Sequence, residues 1–299
     1  MARLCATLPV FMMNLEKNPQ LRLRQAALRS ALRAGPAAAP RPRDIPVVVH
    51  VLFRAEADNL TEAQIKSQID AINRDFNNRN DDIANVPPVF QGAIGKPGIT
   101  FHLAIKDPAG APTNGITRTQ VPQTDFQPDD SMKRSVTGGV DAWDPHIYLN
   151  IWVCRLSGGI LGYAQFPDGG DLETDGVVIN TMAFGIGGTA QDPFDLGRTA
   201  THEIGHYLGL FHVWGNSPFP DCNDSDEIGD TPNQLGPNSG KPAFPTRSCP
   251  NEANGDMFMN YMDYVDDDTM VMFSKEQVAR MQNVLAVSRL ELGISPPAV

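Results

Sequence analysis

Several things are scarce in this chain of 299 residues. No apolar run approaches the roughly 18 residues that a membrane-crossing helix needs, so bilayer insertion is not expected. Basic residues are outnumbered: 24 Lys and Arg stand against 35 Asp and Glu, giving a net charge of −11 and a pI near 4.9. Nucleic-acid binding wants a basic patch, and this balance argues against it. The acidic surplus suits a soluble secreted enzyme, one able to attract basic substrates. Internal repeats are missing. A clear small-residue cleavage site is missing from the loosely apolar stretch 1–15, which is therefore not read as a signal peptide. What remains is ordinary for a globular protein: 41% hydrophobic and 20% charged residues, enough for one large domain or two small ones. The 26 Gly and 25 Pro point to long ordered loops.

Residues 14–34 have a helical pattern, with Leu15, Leu21, Leu23, Leu28 and Leu32 interleaved with Arg22, Arg24, Arg29 and Arg33. The Pro/Ala stretch 35–43 cannot pack a core and reads as a linker. A basic appendage thus precedes an acidic body, and the two attract. The body opens with a buried strand at Ile45 to Phe53. Thr61 caps a helix whose apolar stripe is Ile65, Ile69, Ile72 and Phe76. Further strands are expected at 99–105, 147–153 and 176–180, with a short edge strand at 161–165 and a helix at 199–210. Strands and helices alternate to this point, as in an α/β layered structure. The chain is then loop-rich until Ser274, where Ser274-Lys275-Glu276-Gln277 opens a last helix with a capping box, carrying Val278, Met281 and Leu285 on one face.

Three of the six histidines fall within His202-Glu203-Ile204-Gly205-His206-Tyr207-Leu208-Gly209-Leu210-Phe211-His212. Residues four apart share a helix face, so His202 and His206 can grip one ion side by side. Glu203, one step round, can reach the open coordination position instead. Gly209 accepts the left-handed conformation that ends a helix, letting the chain bend and bring back His212. Three neutral imidazoles leave a fourth site on zinc for water, the catalytic arrangement rather than the structural one. H-E-x-x-H-x-x-G-x-x-H is the extended signature of metzincin metalloproteases.

Asn260-Tyr261-Met262-Asp263-Tyr264 follows, with Met262 in the place of the methionine turn and Met257 and Met259 as rivals. Together with Leu161-Gly162-Tyr163-Ala164-Gln165-Phe166-Pro167, Asp175-Gly176-Val177-Val178-Ile179 and Asp230-Thr231-Pro232, these motifs resemble the pappalysin, or cytophagalysin-like, branch across most of residues 45–290. The resemblance implies an α+β metzincin-like zincin. Its upper subdomain would hold a twisted five-stranded sheet and two long helices, and its lower, irregular subdomain a C-terminal helix. It implies a catalytic domain at 44–299, upper part 44–209 and lower part 210–299, behind an inhibitory pro-segment and linker at 1–43. Glu203 would be the general base and Tyr264 a donor to the oxyanion. The strand near Gly162 would pair with an extended peptide. Asp267, in the run Asp266-Asp267-Asp268, would sit at the bottom of the pocket for the residue after the scissile bond and favour Arg or Lys there. A solvated acidic turn or further calcium ligands remain open for that run.

The same resemblance implies a Cys222–Cys249 disulfide and structural calcium, with Asp226 and Thr231 as ligands and Asp224, Glu227 and Asp230 as further candidates. Cys154 reads as a buried free thiol. Cys5, in Arg3-Leu4-Cys5-Ala6-Thr7, resembles the pro-segment cysteine of latent metalloproteases and would displace the catalytic water. The expected function is a secreted zinc endopeptidase acting on protein or peptide substrates, made as a latent zymogen; a monomer is favoured. The alternatives are a catalytically silent zinc-fold binding protein and a metzincin of broad or hydrophobic preference.

Overall fold

The computed structural model describes residues 2–34 and 42–294, so most of the linker expected at 35–43 lies outside the described residues. The first helical stretch is two helices, α1 (Thr7–Lys17) and α2 (Gln20–Ala34). Pro19 is the reason: it lacks an N–H and pushes the residue before it out of the helical region, and Asn18 is extended (φ −134°, ψ 90°). The body runs β1 (Arg43–Phe53), α3 (Glu62–Asp75), α4 (Pro88–Gln91), β2 (Ile94–Gly95), β3 (Ile99–Leu103), β4 (Ile116–Gln120), β5 (Leu149–Cys154), β6 (Gly162–Ala164) and β7 (Val177–Asn180). Then come α5 (Arg198–Tyr207), β8 (Ser239–Gly240), β9 (Tyr264–Val265), β10 (Phe273–Ser274) and α6 (Lys275–Val287).

The central sheet has five positions, in the order β3-β1-β5-β7-β6, but six strands. The 11-residue β1 is long enough to pair with β3 along Arg43–Val47 and with β4 along Val49–Phe53, on the same edge. β4 was not foreseen because Ile-Thr-Arg-Thr-Gln is polar and none of its residues is buried. All pairings are parallel except β6 with β7, which is antiparallel. Helices and loops cover both faces, so Val47, Val48, Val49 and Val51 of β1 are all fully buried. One face packs on α3 and α5 through Ile65, Ile69, Ile72, Phe76 and Ile204. The other is closed by Val121, Phe126 and Met132 over Trp152, Val178 and Cys154, the last a buried free thiol as expected.

The sequence signals at the helix ends have their expected partners. Thr61 accepts the Gln64 N–H, and Ser274 with Gln277 completes a reciprocal capping box. Gly209 is left-handed (φ +87°) and ends the signature helix. Beyond it, only three two-residue strands break the loops before α6. The Cys222–Cys249 disulfide closes that region, and Val278, Met281 and Leu285 of α6 reach the main core. Among the described residues, no helix is long and apolar enough to cross a membrane.

Candidate active site

α5 carries His202 and His206 on one face, and the turn at Gly209 returns His212 beside them. Nε2 of His206 lies 3.1 Å from Nε2 of both His202 and His212. The Nδ1 atoms of His202 and His206 each lie 2.7 Å from a backbone carbonyl, of Tyr261 and Leu210 respectively. A carbonyl only accepts, so each Nδ1 bears the proton and each Nε2 a lone pair. Lone pairs aimed at one another do not hydrogen-bond; they call for a cation. Two nitrogens about 2.0–2.1 Å from a tetrahedral zinc are about 3.3 Å apart, so the donor set fits that ion. Burial pulls the His206 pKa down to about 4, and burial with neighbouring imidazoles pulls His202 and His212 well below the usual range. All three are then neutral, the ligating form.

Glu203 points into the cleft, where its Oε2 accepts the Thr7 hydroxyl at 3.0 Å and the Cys5 thiol at 3.4 Å. Burial pushes its carboxyl up to about 8. β6 runs so close that a Cβ on Gly162 would fall 2.9 Å from Glu203 Cγ, which explains the glycine. Met262 packs against the signature helix: a Cβ on Gly205 would meet its Sδ at 2.4 Å. The Tyr264 ring lies 5.0 Å from that of His212. Its hydroxyl accepts the Cys5 N–H at 3.2 Å.

The chain's own N-terminus fills the cleft. Cys5 pairs in parallel with Gly162, Leu161 N–H donates to Leu4 O, and Ala6 N–H donates to Gly162 O. The β6 edge expected to take a peptide thus takes residues 4–6. Cys5 Sγ and one nitrogen from each of the three histidines all lie within 4.8 Å of one another. Burial and the Glu203 charge hold the thiol well above its usual pKa; a bound cation reverses that logic and favours thiolate.

Of the acidic run, Asp267 is fully buried, Asp266 half-buried and Asp268 exposed. Asp267 Oδ2 accepts the backbone N–H groups of Leu196 (2.9 Å) and Arg198 (3.2 Å) at the start of α5. Its Oδ1 receives the Arg3 guanidinium at 2.5 Å. Arg3 also donates through Nε to Val265 O (3.2 Å) and through another nitrogen to Thr199 Oγ1 (2.9 Å), with Phe194 4.9 Å away beneath its plane. Reading the sequence missed Arg3, Thr7, Phe194 and Thr199. Arg3 had a signal: two residues before Cys5 in an extended segment, it must share that side chain's face. The others are brought in from separate parts of the fold.

In the loop 221–231, Asp226 is buried and both its oxygens take the Thr231 hydroxyl, at 2.9 and 2.8 Å. Burial pushes the Asp226 carboxyl up to about 7. Asp224 holds the Ser217 N–H, Asp230 holds the N–H of Glu276, and Glu227 faces Arg29, Arg33 and Arg280.

The peptidase M43 family model, described as pregnancy-associated plasma protein-A, matches residues 132–286. An extracellular metalloprotease of Arthroderma benhamiae is 31% identical over 238 residues, covering 78% of this chain and 69% of its own. One from Verticillium alfalfae is 32% identical over 254 residues, covering 81% and 78%. Among solved structures, a Tannerella forsythia promirolysin mutant is 42% identical with a TM-score of 0.90, covering 97% of each chain. Mature mirolysin from the same organism, in complex with a cleaved peptide, is 48% identical with a TM-score of 0.82, covering 86% of this chain and 97% of its own. The chain belongs to the peptidase M43, or pappalysin, family: it is a metalloendopeptidase with a metzincin-like fold and a catalytic metal.

Proposed function

We propose that this chain is the latent form of a secreted zinc endopeptidase that cleaves on the N-terminal side of Arg, and of Lys, in protein and peptide substrates. The observation that carries the specificity is Arg3: a wholly buried guanidinium whose three nitrogens all find acceptors in the Asp267 pocket. The observation that carries latency is the N-terminal segment across His202, His206, His212 and Glu203. Promirolysin aligns with 97% of the chain and mature mirolysin with 86%, a difference close in length to the segment before the linker. On this reading residues 1–43 are the pro-segment and linker and 44–299 the catalytic domain. The extracellular relatives and the disulfide support an oxidising, secreted destination.

His202, His206 and His212 would hold the zinc, which when bound acidifies a water and polarises the scissile carbonyl. Glu203 takes the water's proton at a carboxylate oxygen and hands it to the leaving amine. Tyr264 donates its phenolic proton in a hydrogen bond to the developing oxyanion. β6 holds the peptide backbone extended, and Asp267 orients the side chain after the scissile bond. Met262 forms the apolar floor. Asp226 and Thr231 would hold a structural calcium.

Digestion of a denatured protein mixture with the processed enzyme, with Glu203→Ala as blank, tests the reading. New N-termini should be dominated by Arg and Lys, and Asp267→Ala should erase that bias; other residues at the new termini would discard the pocket. No cleavage above the blank would favour a silent binding protein. For latency, Cys5→Ala in the full chain should activate many-fold faster than the parent, and an unchanged lag would remove Cys5 from the switch.

A further inference from the structure

Two of the three histidines have their imidazole planes fixed by Nδ1–H bonds to carbonyls. Among the described residues, His212 Nδ1 has no such bond. It has Trp214 instead. The indole lies flat on the imidazole, with centroids 4.3 Å apart and planes within 7°. The same indole meets the Tyr264 ring edge-on, at 4.7 Å and 84°, and Tyr264 meets His212 at 5.0 Å and 86°. The three rings close a triangle, with Trp214 at its outer corner and itself only 6% exposed.

Local backbone chemistry puts Trp214 there. His212 O accepts the Gly215 N–H at 2.8 Å, a tight turn that folds residue 214 back over residue 212. Gly215 is left-handed (φ +96°), and a Cβ on it would collide with the Asp224 carboxylate at 2.4 Å. Asp224 in turn holds the Ser217 N–H at 2.9 Å. Turn, glycine and carboxylate fix the backbone from which the indole reaches across the histidine.

We infer that Trp214 is a positioning residue that sets both the ring plane of His212 and the approach of Tyr264, so that one side chain tunes metal retention and turnover together. The inference rests on His212 as a metal ligand and Tyr264 as the oxyanion donor. A histidine's lone pair lies in its ring plane, so a ring free to tilt presents a misaimed donor, and loss of an outer partner typically weakens metal binding about 10–100-fold. Aromatic stacking supplies the restraint that a hydrogen bond supplies at His202 and His206.

The test uses the full chain for zinc affinity, by competition with a chromogenic chelator, and the processed enzyme for kinetics on one peptide with Arg after the scissile bond. Trp214→Leu should weaken zinc retention about 10–100-fold and lower kcat at zinc saturation about tenfold or more, with KM within about twofold. Trp214→Phe, which keeps a stacking face, should recover most of both. The melting temperature of the metal-free protein should be nearly the same for all three. Wild-type affinity and kcat in Trp214→Leu would overturn the inference. So would losses that track a lowered metal-free melting temperature and that Phe does not rescue. His212→Ala is the separate check on the ligand itself: if it retains zinc like the parent, the metal-site reading falls, whatever Trp214 does.

Discussion

The residues ahead of the signature and those behind it meet at the metal cluster, yet they are built by opposite means. Ahead of it, backbone polar groups pair with each other in a six-stranded sheet and apolar side chains fill both faces. Behind it, carboxylates pair the backbone. Asp263 accepts the N–H groups of Asn238 and Tyr264 and the side-chain amides of Gln234 and Asn238. Asp256 holds the N–H and hydroxyl of Ser248, and Asp267 holds the N–H groups of Leu196 and Arg198. The sheet half places His202, Glu203 and His206 on one rigid helix. The loop half brings His212, Tyr264 and Asp267 to it one at a time, so its precision rests on a few buried polar groups and one covalent bond. Its stability should accordingly be concentrated in single residues, and that of the sheet half spread thinly.

The largest stability effect expected on this contrast is at the disulfide. Replacing both Cys222 and Cys249 by Ser reopens a loop spanning 27 residues, a loss of about 3–4 kcal/mol in the chain-entropy model. Hydrogen exchange should show amides of 215–260 losing protection while those of β1 and β5 keep theirs. Uniform loss across the protein would mean that the two halves unfold as one and that the contrast is one of architecture only.

Smaller, and a direct comparison, is a matched pair of substitutions. Asp263→Ala leaves four buried or half-buried donors without their acceptor and should cost about 2–3 kcal/mol; kcat should fall as well, since Tyr264 follows it directly. Ile179→Val, at a fully buried sheet position, should cost about 1 kcal/mol and leave kcat alone. Urea denaturation with parallel kinetics would measure both. Equal costs, or an Ile179→Val enzyme with altered kcat, would dissolve the distinction.

The same difference explains what was legible in the sequence. Period and caps locate the elements: Thr61, Ser274 and Gly209 each do what their residue types dictate. The polarity of β4 hides it, and the apolar period of the first helical stretch runs through Pro19 without marking the break. At the site, the three histidines and Glu203 are local, on one helix and its turn, so spacing reveals them. Asp267 could be placed only by resemblance, and its neighbours in the run are equally acidic; burial distinguishes it from Asp266 and Asp268. Arg3 meets it from 264 residues away; its spacing from Cys5 puts it on the cleft side of the segment, but nothing local names Asp267 as its partner. Polar contacts over that range arise from the completed fold.

The sheet half has a buried polar group that tests the contrast from the other side, through pH and not through a lost contact. Asp75, at the end of α3, is buried and accepts the Thr201 hydroxyl at 2.7 Å, with Arg198 Nε 3.6 Å away. Burial outweighs these partners and raises its pKa from about 4 to about 6. Between about pH 4 and 6 the native state therefore holds a proton that the unfolded chain has released. The contribution is full below about pH 4 and is lost as pH rises through 6. Asn has the shape of the protonated acid and does not titrate. Asp75→Asn should match the parent near pH 4 and become relatively more stable by pH 7.5, as read by urea midpoints at both values. If the variant instead loses ground as pH rises, the charged Asp75–Arg198 pair is worth more than its desolvation costs, and the sheet half too depends on a single buried carboxylate.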